Sequence, residues 1–261
     1  MTTMLSRPDS PAGGGIVHSG RRRSGERRIS SLVFLMVLWA SLLLGFVVLG
    51  VLLVTTITDG FNRLDGGLFT QYSASQPEDA GARAALLGSV WVIAVTALLS
   101  IPLGIAAAIH LEEFADHKRW FNRFVELNIQ NLAAVPAIIY GMLAIGVLAM
   151  FGVGNKNVVI GGGLALGLLI LPVIIITTRE SLRAVPDEIR QGSLALGATQ
   201  WQTVWRQTLP SAVPGIATGT ILALSRALGE AAPLLLLGGL VYVTFDPNGL
   251  LSGFTTLPIQ I

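Results

Sequence analysis

Two residues of opposite charge interrupt an otherwise apolar stretch of this 261-residue chain. Arg226 and Glu230 stand four positions apart, a spacing that predicts one shared helix face. A charge at the centre of a bilayer costs about 2.5–3.5 kcal/mol, so both should face a protein interior or a water-filled path. A guanidinium group can bond two oxygens of one oxyanion, whereas a carboxylate suits the role of the arginine's alternative partner. The competing interpretation is a self-neutralising structural pair, although such a pair is more favourable on a helix when the acid precedes the base.

Motifs for nucleotide hydrolysis, thiol chemistry and metal binding are missing from the sequence. No Gly-x-x-x-x-Gly-Lys-Ser/Thr phosphate loop occurs, and the glycine triplets at 13–15 and 161–163 lack the lysine that contacts phosphates. The second triplet is interpreted as a place where helices pack closely. There is no cysteine, and His18, His110 and His117 share no ligand spacing. No Ser–His or paired-carboxylate arrangement lies in the apolar runs, so we expect neither an enzyme nor a cofactor bound by this chain.

The composition is typical of a protein that lies in lipid. Hydrophobic residues make up 52% and charged residues 12% of the chain, against about 45–50% and about 25% in soluble domains. The net charge of +2 does not indicate nucleic-acid binding. Because backbone groups in lipid must be bonded within the segment, the long apolar runs predict an all-α integral membrane protein, a polytopic helical bundle with five spans. The five runs are 29–57, which is the first transmembrane helix, 84–109, 131–151, 157–178 and 212–240.

The positions of the basic residues predict the orientation of the spans. Thirteen of the 17 lysine and arginine residues lie in the N-terminal segment and in the loops after the second and fourth runs. Positive charge accumulates in cytoplasmic loops, so the N-terminus and these two loops should be cytoplasmic. Residues 1–28 are predicted to be a disordered basic cytoplasmic tail. Because the last residues are apolar again, we expect a sixth span beyond residue 261.

The loop after the fourth run is predicted to be a helical hairpin. Pro186, followed by two acidic residues, is a favourable helix start, and Gly197 should end this first helix. Thr199 and Gln202 have the spacing of a capping box, so a second helix should begin there. Pro210 is expected to stop it. An alternative is an ordinary amphipathic hairpin that lies on the lipid headgroups with tryptophans as anchors.

At this hairpin the sequence resembles the EAA loop of ABC importer permeases. Gly197, Leu209 and Pro210 match that pattern, whereas residues 191–193 replace its Glu-Ala-Ala triplet and Gln207 replaces its isoleucine. Longer stretches, 178–202, 226–234 and 254–261, are similar to phosphate-transport permeases in particular. The chain thus resembles the PstA-like permease subunits of phosphate-specific ABC importers, within the type I, MetI-like permease family.

The resemblance implies a permease core at 84–261 that contains a cytoplasmic coupling loop at 179–211. It implies a bacterial cell-membrane location and four kinds of partner: a homologous PstC-like permease, two copies of an ATP-binding subunit, an extracytoplasmic phosphate-binding protein, and the lipid bilayer. ATP would be bound by the partner subunits. Arg226 and Glu230 are implied to line the translocation path. The residues implied to couple to the ATPase are Glu188, Gly197, Ala198, Thr199, Trp201, Leu209 and Pro210.

Two other functions are open at this stage. The same machine could carry another oxyanion, such as molybdate or sulfate. A secondary transporter would be expected to show inverted repeats or several intramembrane acids, whereas the runs contain one acid, Glu230, and no convincing repeat.

Overall fold

The structure is a computed structural model that describes residues 24–61, 64–76, 79–116, 119–239 and 242–260. Most of the predicted tail at 1–28 lies outside the described residues. The helices are α1 (Ser24–Gly60), α2 (Gly66–Thr70), α3 (Arg83–Ile109), α4 (Trp120–Ala133), α5 (Ala137–Met150), α6 (Val159–Arg183), α7 (Asp187–Ala195), α8 (Gln200–Thr203), α9 (Leu209–Leu228), α10 (Ala232–Leu236) and α11 (Leu257–Gln260). Two π-helical turns, His110–Phe114 and Val204–Thr208, follow α3 and α8 without a break.

Residues 1–62 and 63–261 form two compact units. The first unit contains α1, a single helix of 37 residues. The helix begins at Ser24, inside the segment predicted as a disordered tail. The charged residues there are unfavourable in hydrocarbon, but their helix propensity allows the helix to extend beyond the apolar run. The hydroxyls of Thr55 and Thr58 donate to carbonyls one turn back, Thr55 to Val51 O at 3.0 Å and Thr58 to Val54 O at 2.9 Å. These two hydroxyls are therefore bonded within the helix, as lipid requires of polar groups.

In the second unit α6 is the central helix, and it packs against α3, α4, α5 and α9. Its glycine triplet allows this close approach. A methyl group on Gly161 would lie 2.8 Å from Leu148 Cδ1, and one on Gly162 would lie 2.8 Å from Phe254 Cζ. Gly163 faces Val95 of α3 at a similarly short range. The interpretation of the triplet as a close-packing site is confirmed.

Four helices among the described residues are long and apolar enough to cross a membrane, or five if α4 and α5 count as one broken span. The predicted third span at 131–151 is not one straight helix, because α4 and α5 meet at an angle of 110°. Pro136 explains the break. It has an extended ψ of 134° and stands as N-cap of α5, so the helix restarts after it.

The predicted fifth span at 212–240 is also wrong as a single helix. The helix α9 ends at Leu228, Pro233 lies in the first turn of the short helix α10, and Gly238 has a φ of +81° that stops α10. The chain then turns back into the bundle. Phe254 is fully buried, and Leu257 N donates to Ser89 Oγ at 3.0 Å.

Candidate functional site

The hairpin predicted from the sequence is present, and its first helix ends at a glycine. Gly197 has a φ of +84°, a conformation that a Cβ atom disfavours. Gly197 N donates to Leu194 O at 3.0 Å, and Ala198 N donates to Ser193 O at 3.3 Å. These are the two hydrogen bonds of a Schellman motif, so Gly197 closes α7 and redirects the chain into α8.

The second helix begins as predicted. Thr199 Oγ1 accepts from Gln202 N at 3.3 Å, and the Gln202 side chain accepts from Thr199 N at 2.9 Å. Ser193 and Thr203 bond to each other through their hydroxyls at 2.9 Å. This contact ties the two helices of the hairpin together.

The predicted stop at Leu209 and Pro210 is wrong, because the helix runs without interruption from Gln200 to Leu228. The π-helical turn just before the proline explains this. Leu209 N donates to Val204 O, five residues back, so the helix is already widened when it reaches a residue that has no N–H. Leu209 packs against a buried apolar cluster, whereas Pro210 is exposed.

The exposed surface of the hairpin is an apolar edge beside a groove. Leu196 is 91% exposed and Trp201 58% exposed. The Trp201 ring lies 5.8 Å from that of Phe114 and 5.4 Å from that of Trp205, so it is partly engaged in the hairpin's own packing. The groove has a volume of about 470 Å³, and its lining is Glu188, Ile189, Gly192, Ser193, Leu196, Ala198, Gln202, Arg206 and Gln207. Of the predicted coupling residues, Glu188 and Ala198 line this groove, Gly197 and Thr199 form the turn beside it, and Leu209 lies in the apolar cluster beneath.

Arg190 fastens the hairpin to the bundle. Its guanidinium donates to Glu113 Oε1 at 2.9 Å and to the carbonyls of Leu182 and Val185 at 2.7 and 2.8 Å, which belong to the end of α6 and the residues just after it. Although partial burial acts against the charge, the hydrogen bond to the Glu113 carboxylate and the nearby acidic groups raise the pKa of Arg190 above its ordinary value. The side chain of Gln200 donates to the backbone carbonyl of Glu113 as well. Both helices of the hairpin are thus bonded to the π-helical turn after α3.

A second ionic cluster lies directly behind that turn. Arg179 of α6 is 6% exposed and donates from Nε to Glu112 Oε2, while its Nη2 approaches Glu126 Oε1 of α4, both at 3.0 Å. Arg183 donates to the other oxygen of Glu112 at 2.6 Å. Two arginines and two glutamates therefore balance in charge. Arg179 and Glu112 are the two nearly buried members, and removing either would leave an uncompensated charge, which costs about 3–5 kcal/mol for buried pairs.

Sequence reasoning missed both clusters. Arg179, Arg183 and Arg190 were used only as indicators of orientation, and the adjacent acids Glu112 and Glu113 were not used. The available signal was that two acids end the second apolar run and three arginines end the fourth. Helices that meet at one face of a membrane could pair these charges.

The structure does not place Arg226 and Glu230 on one helix face. Arg226 lies in the last turn of α9, Gly229 is the C-cap, and Glu230 belongs to the segment that follows. Within the described residues, no carboxylate lies within 4.0 Å of Arg226 and no basic group lies within 4.0 Å of Glu230. Arg226 is exposed and lies within electrostatic range of Tyr140 on α5, while Glu230 is half-buried. The self-neutralising pair is therefore absent from this conformation.

A bundle of apolar helices that carries an exposed hairpin, with an arginine in its last long helix that pairs with no carboxylate among the described residues, is the arrangement expected of a helical membrane transport subunit. The model of the family described as "Binding-protein-dependent transport system inner membrane component" matches residues 100–251. The chain belongs to this family.

Curated relatives agree with this assignment. The chain is 36% identical over 246 residues to the phosphate transport system permease protein PstA of Mycobacterium leprae, covering 91% of this chain and 78% of that protein. It is 32% identical to PstA of Yersinia pestis over 223 residues, covering 84% and 74%. It is 36% identical over 185 residues to the probable ABC transporter permease protein YqgI of Bacillus subtilis, covering 70% of this chain but only 62% of that protein.

Proposed function

We propose that this chain is the permease subunit of an ATP-driven importer of inorganic phosphate, with its N-terminus and hairpin in the cytoplasm. The observation that carries the proposal is the exposed hairpin, with a groove of about 470 Å³, bonded through Arg190 to the ends of two long helices. A protruding element that is rigidly attached to the bundle is what an external motor needs. The choice of phosphate as the substrate is supported by the relatives that are named as phosphate transport permeases.

The hairpin is the proposed docking site for the ATP-binding subunits, since the sequence has no phosphate loop of its own. Glu188 and Ala198 would contact the ATPase from the groove, with Leu196 and Trp201 as apolar contacts. Exposed aromatic and aliphatic side chains around a groove are typical of interface centres. The other proposed partners are a homologous PstC-like permease, a second copy of the ATPase, and an extracytoplasmic phosphate-binding protein.

Arg226 is the proposed contact for the transported anion. A guanidinium group without a carboxylate partner in the described residues must find counter-charge elsewhere when it lies in a membrane. The planar guanidinium bonds two oxygens of phosphate at once. Glu230 lies beyond the end of α9, so this carboxylate can approach or leave Arg226 through movement of the segment after α9, without unwinding that helix. It would hold Arg226 while the path is empty.

The proposal is tested by the ATPase activity of the purified complex in lipid nanodiscs. Binding protein loaded with phosphate should stimulate ATP hydrolysis by the complex. Binding protein without an anion, or incubated with sulfate or molybdate instead of phosphate, should not stimulate it. Stimulation by sulfate or molybdate would overturn the choice of phosphate. A complex that transports without any ATPase subunit would overturn the proposed class.

A further inference from the structure

We propose that Glu112, Glu113, Arg179 and Arg190 form one transmission element that makes the hairpin and the ends of α3, α4 and α6 move as a single body. This inference rests on the proposed function, because it concerns how movement of the docked hairpin reaches the spans. These four are proposed as positioning residues, since their charged groups are engaged with one another and with the ends of the helices.

The first half of the element holds the hairpin. Arg190 is the only hairpin side chain among the described residues that forms ion pairs with both the hairpin and the bundle, to Asp187 at 3.1 Å and to Glu113 at 2.9 Å. The same guanidinium donates to the carbonyls of Leu182, in the last turn of α6, and of Val185, just after that helix. Tilting α7 away from α6 would therefore break several charge-assisted bonds at once.

The second half connects the spans. Glu112 lies in the same π-helical turn as Glu113, and it pairs with Arg179 and Arg183 of α6. Arg179 continues the connection to Glu126 of α4. Because Glu112 and Glu113 are consecutive residues, a displacement of the hairpin at Glu113 is carried through one peptide unit to Glu112 and hence to α6 and α4.

Adhesion alone does not require these charges. A buried apolar cluster already joins α3, the end of α6 and the helix that runs from the second half of the hairpin into α9, and its members are Ile109, Leu182, Val185, Val204, Ala212 and Ile216. Apolar contacts are non-directional and let helices slide, whereas ion pairs with fixed fork geometry hold orientation. Replacing buried ion pairs with apolar residues is often neutral or stabilising for the folded protein. The ion pairs at this position are therefore better explained by a need to fix the orientation of the helices than by a need for folding stability.

The first test uses Glu113→Gln in the full transporter complex reconstituted in proteoliposomes. This change keeps the size of Glu113 and its backbone carbonyl but removes the charge that holds Arg190. We expect ATPase binding and ATP hydrolysis to stay within twofold of wild type, while phosphate imported per ATP falls at least about tenfold. Glu113→Asp, which keeps the charge, should restore part of that ratio.

The matched control is Glu180→Gln, because Glu180 is an exposed carboxylate beside Arg179 and forms no ion pair with any other described residue. It should leave the ratio unchanged. Parallel loss of ATP hydrolysis and import in Glu113→Gln, or an unchanged ratio, would overturn the transmission role. Failure of the wild-type complex to import phosphate would instead refute the proposed function.

A second test covers the case in which Glu113→Gln fails to assemble. The chain has no cysteine, so spin labels can be attached at Ala195→Cys on α7 and Trp120→Cys on α4, both exposed. In the wild-type complex the distance between the labels should keep one narrow distribution with and without nucleotide. Arg190→Lys, which keeps the charge but loses the fork, should broaden it. A wild-type distance that changes with nucleotide would overturn the single-body movement.

Discussion

Replacing Gly197 with alanine tests how strongly the shape of the hairpin controls docking. A Cβ atom built on Gly197 would meet no atom within 4 Å, so the substitution causes no clash within the described residues. The cost comes from the backbone, because a left-handed φ of +84° costs an L-residue about 1–2 kcal/mol. Valine is β-branched and should reach the upper part of the range of about 1–3 kcal/mol.

A similar free-energy cost results if the backbone of the substituted residue leaves the left-handed region instead of staying in it under strain. It would then lose the two hydrogen bonds of the Schellman motif, at 3.0 and 3.3 Å. Each is worth about 0.5–1.5 kcal/mol, which again gives about 1–3 kcal/mol. Since 1.4 kcal/mol is a factor of about ten in an equilibrium constant, Gly197→Ala should populate the open hairpin about 5- to 30-fold more.

Amide hydrogen exchange of the hairpin measures this opening, and affinity for the purified ATPase subunit measures its consequence. Protection at the turn should fall about 5- to 30-fold, and the apparent affinity should fall by no more than that factor. Gly197→Asn, which tolerates this backbone region, should be milder. Gly197→Val should lose ATPase association and transport while it still inserts in the membrane.

Gly192→Ala is the matched control for hydrogen exchange. It adds one methyl group to the same hairpin, also in open space, but inside α7 where the backbone is helical. Alanine there should increase protection, because glycine costs a helix up to about 1 kcal/mol. Unchanged protection and affinity in Gly197→Ala would refute the role given to the turn, and equal effects at both glycines would refute its backbone cause.

Three further results are expected. Arg226→Gln should lower phosphate uptake about 100-fold, the equivalent of two charge-assisted hydrogen bonds at about 1.5 kcal/mol each, while assembly and ATP hydrolysis persist; normal uptake would refute the path role. A cysteine at exposed Ser75 should react with an impermeant reagent from outside, and one at Ala195 only after permeabilisation; the reverse would overturn the orientation. The hydrogen bond from Arg83 holds the pKa of Asp246 below its ordinary value of 3.8, so this pair should persist from pH 7 to 5 and be lost only as the pH falls through the lowered pKa. Asp246→Asn should speed amide exchange of its loop already at pH 7, and unchanged exchange would contradict the contact.

Local signals in the sequence predicted local structure well. Gly197 and the Thr199–Gln202 pair act within a few residues, so their positions define the end of α7 and the start of α8 directly. The apolar runs predicted a helical bundle, because in lipid the backbone hydrogen bonds of such a run must be made within the run itself, as they are in a helix.

Predictions failed where a helix ending depends on its neighbours. Pro210 was expected to stop a helix, but the preceding π-helical turn accommodates it. Glu230 was assigned to the face of Arg226 by spacing alone, and the C-cap at Gly229 removes it from the helix. Arg179 pairs with Glu112 across 67 positions and Arg190 pairs with Glu113 across 77, and the packing of α3 on α6 brings these residues together.

Phosphate accumulation in proteoliposomes tests the central claim most directly. In the wild-type complex, with ATP inside the vesicle and phosphate-loaded binding protein outside, labelled phosphate should accumulate inside the vesicle. Accumulation should cease when ATP is replaced by a non-hydrolysable analogue. Accumulation that continues without ATP, driven by an ion gradient, would contradict the account.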